Sequence, residues 1–168
     1  MDAGSNSLPD RSFGTSLIEA AREEGFDAAT FRPLDRNDGD EIAASVKDAF
    51  GDAANAAMTG WWFSERKCPL PTSTRRFADG DGWRHLIDVA PYVSAPVWFF
   101  AQNWMRDTPP HLVFASSAEV VQAVLGNMGG FEYIVCGREL DWLFAEDHEE
   151  CVSVAGADAV RRLESIRS

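Results

Sequence analysis

Glu146, Asp147, His148, Glu149 and Glu150 stand in one run, four carboxylates around an imidazole. Such groups bind divalent cations and act as general acids and bases. Contiguous residues in a tight turn rarely converge on one ion, and no second ligand set stands at recognisable spacing elsewhere. The run therefore reads as a solvated turn with no metal and no cofactor. Its crowded like charges should raise the pKa values of the carboxylates and of His148. With Glu139 and Asp141 added, residues 139–150 hold six acids and no base. That stretch suits the Lys and Arg side chains of a protein partner.

The stock for nucleophilic chemistry is Cys68, Cys136, Cys151, His85, His111 and His148. None sits in a GxSxG elbow or another local signature. No phosphate-binding GxxxxGK[ST] or GxGxxG pattern exists. Three cysteines without a CxxC pair read as reduced thiols. Cys136 and Cys151 fall in strand patterns, where a buried thiol is inert, and the two could neighbour each other across a sheet. His85 reads as structural, and His111 as the start of a strand. Arg66, Lys67, Arg75 and Arg76 gather in a surface loop after Trp61 and Trp62. A small hydrolase or transferase would place its cleft near Trp61, Arg75, Arg76 and His148. Trp104, Met105 and Arg106 are residue types enriched where proteins bind each other. Local packing under their loop is the other reading.

The elements that position these residues follow from periodicity. Residues 1–13 read as a flexible polar leader, and 14–168 as one domain. "TSLIEAAREEGF" is helical, with a capping box at Ser16 and Glu19 and a stop at Gly25. "RPLDRNDGD" is a loop, and "DEIAASVKDAF" a second helix with Ile42, Val46, Ala49 and Phe50 on one face. "GWRHLIDVAPY" is a short helix ending before Pro91. "PVWFFAQ" and "HLVFA" read as neighbouring strands. "SSAEVVQAVLGNMGG" is a helix with a capping box at Ser116 and Glu119 and an apolar stripe from Val120 to Met128. Period-two spacing from Phe131 to Ala145, broken at Gly137 and Arg138, predicts an antiparallel hairpin. "CVSVA" is a further strand beyond the acidic turn. A last helix holds Ala159, Leu163 and Ile166 inward. The fold class is α+β: a mostly antiparallel twisted sheet of about five strands with helices packed on it.

One resemblance rests on "FEYIVCGRELDWLFAEDHEECVSVAG". It resembles the end of a family of uncharacterised bacterial proteins grouped as a domain of unknown function. Glu132, Tyr133, Trp142, Leu143, His148 and Gly156 match that pattern, and "WWF" upstream matches loosely. Where the family tends to have Asn-His-His, this chain has Asp147-His148-Glu149. The resemblance implies a small accessory or immunity-type protein by analogy only.

Composition narrows the classes further. The 168 residues carry a net charge of −12, with six Trp and eleven Phe. Residues 1–60 hold 12 acids and 5 bases, residues 61–112 hold 5 and 6, and residues 113–168 hold 10 and 4. Such a surface repels phosphate backbones, which argues against nucleic acid. No run approaches the roughly 20 apolar residues that span a bilayer, and no signal peptide is visible, so a cytoplasmic location is expected. The leading expectation is a non-enzymatic acidic module that binds a basic protein. A small enzyme and a homodimeric accessory protein are the alternatives.

Overall fold

The computed structural model describes residues 12–51, 68–77, 80–102, 111–128, 130–147 and 149–167. Helix α1 (Phe13–Glu23) begins where the Ser12 side chain accepts the Thr15 N–H. The start lies one turn before the expected box at Ser16, because Phe13 sets its ring edge-on against Phe131 at 5.1 Å. Phe13 is the first residue of α1 and packs against the core. Strand β1 (Arg32–Pro33) and helix α2 (Arg36–Phe50) replace the loop expected over 32–40. Asp35 moves the helix start forward by accepting the Asp38 N–H at 2.9 Å. Strand β2 (Thr72–Arg76) lies where a basic surface loop was expected. Next come a 3-10 turn (Gly82–His85) and helix α3 (Leu86–Val89). Strands β3 (Pro96–Gln102) and β4 (His111–Ser117) pair along their whole length. Helix α4 (Ala118–Asn127) follows β4 directly. Ser116 does not cap it, since its hydroxyl donates to the Thr30 carbonyl at 3.0 Å. Strands β5 (Tyr133–Gly137), β6 (Leu143–Glu146) and β7 (Cys151–Ala155) form a meander, and helix α5 (Ala157–Ser165) ends the order.

Among the described residues the sheet has seven antiparallel strands in the order β1-β4-β3-β5-β6-β7-β2, two more than expected. Both of its faces carry a hydrophobic core. Val97, Phe99, Tyr133, Val135, Phe144, Val152 and Val154 point to one side, where residues of α1, α3, α4 and α5 cover them. Phe100, Ile134, Cys136 and Leu143 point to the other, against Ala43, Val46 and Phe50 of α2. The alternation along β5 and β6 therefore sorts side chains between two cores rather than between core and water. Gly156 joins β7 to α5 at φ +99, and a Cβ there would lie 2.4 Å from the Asp141 carbonyl oxygen. Only glycine fits both constraints. Among the described residues, no helix is long and apolar enough to cross a membrane.

Candidate functional site

The register of the sheet builds the site. Tyr133, first residue of β5, lies opposite Glu146, last residue of β6. Both side chains share the face of Phe144, so Glu146 turns inward and is only 8% exposed as a residue. The Tyr133 hydroxyl donates to Glu146 Oε2 at 2.6 Å, a length typical of a charge-assisted bond. Glu146 Oε1 meets no hydrogen-bond donor among the described residues. The 3-10 turn crosses this spot through Gly82, where a Cβ would sit 2.4 Å from Val152 Cγ2 and 2.7 Å from Glu146 Oε1. Any other residue would force the turn off the strands.

Glu146 is held above the usual carboxylate range. Desolvation by burial is the main cause; the Tyr133 hydrogen bond opposes it, and the charges of Glu150, Asp147 and Asp81 add to it. Burial also pushes the Tyr133 phenol well above its ordinary value, with the Glu146 charge assisting, so it remains a donor at any physiological pH.

Glu146 and Tyr133 open onto a cleft of about 330 Å³, at the lower end of the range of ligand pockets, roughly 300–1,000 Å³. Asp81, Asp147 and Glu150 add carboxylates to its lining, while Trp83, Leu125, Met128 and Phe131 add apolar walls. No Lys or Arg lines it among the described residues. Asp81 is already met by Arg84 Nη1 at 2.9 Å, and the Arg84 guanidinium lies 5.3 Å from the centre of the Trp83 ring. Asp147 closes the β6–β7 turn, its Oδ1 accepting the N–H groups of Glu149 and Cys151 at 2.9 and 3.0 Å. Glu150 follows at φ +62, and a Cβ on Gly80 would lie 2.8 Å from its carboxyl.

The acidic run is thus divided. Glu149 and Glu150 are exposed, as a solvated turn requires, but Glu146 is the end of a buried strand. Glu139 and Asp141 lie at the other end of the β5–β6 hairpin, in its turn, and do not join the cleft. That turn is longer than expected: Leu140 sits at φ +56 and β6 begins only at Leu143. His148, Trp104, Met105, Arg106, Trp61, Arg66 and Lys67 lie outside the described residues. Arg75 pairs with Val152, which pairs in turn with Glu146, so it shares their face of the sheet but does not line the cleft. Its Nη1 donates to the Ile166 carbonyl at 2.6 Å, past the end of α5, where a cation is favoured by the helix dipole. Arg76 pairs in register with Cys151 on the sheet's edge.

Among the described residues, no three His, Cys, Asp or Glu side chains are placed to hold a metal ion. Cys136 and Cys151 are separated by β6 and lie at opposite ends of their strands, so they are not neighbours. His85 stacks on Phe77 at 4.3 Å, consistent with a structural role. The sequence reading missed Tyr133, Asp81, Trp83 and Phe131 as site residues. One signal was present: continuing the inward series Trp142, Phe144 by one step lands on Glu146. The chain matches no protein-family model, no curated protein and no solved structure.

Proposed function

We propose that the chain is a non-enzymatic interaction module that docks a basic protein partner through the acidic end of its sheet, as an immunity-type or accessory protein would. The observation that supports this most is the cleft, lined by Asp81, Glu146, Asp147 and Glu150 with no base among its described lining residues. One of these carboxylates, Glu146, is buried, and desolvation holds it above the usual carboxylate range. A net charge of −12 adds long-range attraction for a basic surface. The same field opposes nucleic acid and other polyanions.

The test is affinity capture of the native partner by the wild-type chain and by a D147N/E150Q variant, at low and high salt. The reading expects a protein of high pI, captured by the wild type at low salt and lost at high salt or with the variant. Salt-insensitive capture, or equal capture by the variant, would refute it.

A further inference from the structure

We infer that the cleft receives the guanidinium of one arginine side chain from the basic partner, anchored on Glu146. This rests on the proposed function and adds the chemistry of the contact. Glu146 is 8% exposed as a residue, its Oε2 accepts from the Tyr133 hydroxyl, and its carboxylate lines the cleft. A buried charge in this state is costly unless a cation or further donors complete it. An occupant that brings both charge and N–H groups complements this carboxylate.

Size and lining decide between cations. A bare metal ion needs several oxygens converging at about 2.0–2.6 Å, and no such trio exists among the described residues. The carboxylates are instead spread around a space of about 330 Å³. Trp83, Phe131 and Tyr133 contribute aromatic lining, and Leu125 and Met128 aliphatic lining. Guanidinium is planar, weakly hydrated and stacks on aromatic rings, whereas ammonium is a compact, strongly hydrated charge. Arg84 already places its guanidinium by Trp83 while pairing with Asp81, so one acid of the cleft is satisfied internally. Glu146 and Glu150 remain for the incoming group.

The experiment is calorimetric titration of the full chain at low salt with four probes: acetyl-Gly-Arg-Gly-amide, its citrulline and lysine counterparts, and agmatine. The inference expects the arginine peptide to bind at least tenfold more tightly than the citrulline peptide and more tightly than the lysine peptide. E146Q should weaken arginine binding roughly 10- to 100-fold, and E150Q, at the exposed rim, about threefold. E164Q, on the exposed side of α5, removes the same charge and should leave binding unchanged. A thermal melt of E146Q separates lost binding from lost folding, since this variant should melt no lower than wild type. Equal binding of the citrulline or lysine peptide overturns the inference, as does unchanged binding by E146Q. Tighter binding of agmatine than of the peptide would assign the cleft to a free guanidine compound instead. Heat from Ca²⁺ or Mn²⁺ that E146Q abolishes would assign it to a metal. If E146Q leaves partner capture intact while D147N/E150Q abolishes it, acidic docking stands and the inserted arginine falls.

Discussion

Replacing Tyr133 with Phe deletes one oxygen and leaves a buried carboxylate without its donor. The Tyr133 hydroxyl is the hydrogen-bond donor recorded for Glu146, at 2.6 Å. Hydrogen bonds to charged groups contribute about 1.5–3 kcal/mol net. For a chain of this size each kcal/mol moves Tm by about 2–4 °C. Tyr133→Phe should therefore lower Tm by roughly 3–12 °C at pH 7. Glu146→Gln should act in the opposite sense. It keeps an acceptor for the hydroxyl but removes the desolvated charge, for a gain of about 1 kcal/mol. In the Gln background the tyrosine makes only a neutral bond of about 0.5–1.5 kcal/mol. A double-mutant cycle should then give a coupling near 1 kcal/mol between the two sites. The pH dependence supplies an independent sign. Glu146 titrates above its unfolded value of 4.5. The folded protein therefore takes up this proton before the unfolded chain does, and Glu146 adds stability as pH falls from its folded pKa towards 4.5. The cost of Tyr133→Phe should shrink over the same range, because a protonated carboxyl no longer needs a donor as strongly. Urea denaturation of the four proteins at pH 7 and pH 4.5 measures all of this. A neutral Tyr133→Phe, or a destabilising Glu146→Gln with no pH dependence, would refute the reasoning.

Three further outcomes are expected. His111 is held below 6.5 by burial, with Lys47 adding to the shift against Asp40, and its Nε2 has no hydrogen-bond partner among the described residues. The unfolded chain binds this proton first, so stability should fall as pH drops below 6.5, and His111→Gln should flatten that loss in urea midpoints measured between pH 7 and 5. Gly82→Ala would force a methyl group against Val152 and Glu146. Overpacking of this kind costs about 1–3 kcal/mol, and the substitution should also weaken arginine-peptide binding in the same titration. Cys136 is fully buried and its thiol is pushed far up by burial, with Asp141 adding to the shift. Iodoacetamide at pH 7.5 should leave it unmodified in the folded protein, as read by mass spectrometry of tryptic peptides, and label it in urea.

Much of the scaffold was legible because apolar periodicity is strong where a strand or helix meets the core. The β3–β4 pair, the stripe on α4 and the strand at Cys151 all carry that pattern. The two strands that were missed do not. Arg32–Pro33 is two residues long, and its proline donates nothing to the ladder. Thr72–Arg76 is a polar edge strand whose Arg75 works on the end of α5 through a contact 91 residues away. The two capping boxes misled for different reasons. Ser12 caps α1 locally one turn ahead of the expected box, while the Ser116 hydroxyl is drawn to the distant Thr30 carbonyl and leaves α4 uncapped by it. The site was half legible. The acids of residues 146–150 stand out in the sequence, but the division between buried Glu146 and exposed Glu149 and Glu150 depends on where β6 ends. Tyr133, Asp81 and Trp83 come from distant segments and meet the acids only through the sheet register and the 3-10 turn at Gly82. No local spacing encodes that meeting.

The account turns on whether Glu146 is a buried carboxylate poised for a cation. Side-chain ¹³C NMR titration of Glu146, with and without saturating arginine peptide, tests this directly. The account predicts an apparent pKa above 4.5 in the free chain that drops when the peptide binds. A value at or below 4.5 in the free chain, or one that the peptide leaves unmoved, would contradict it.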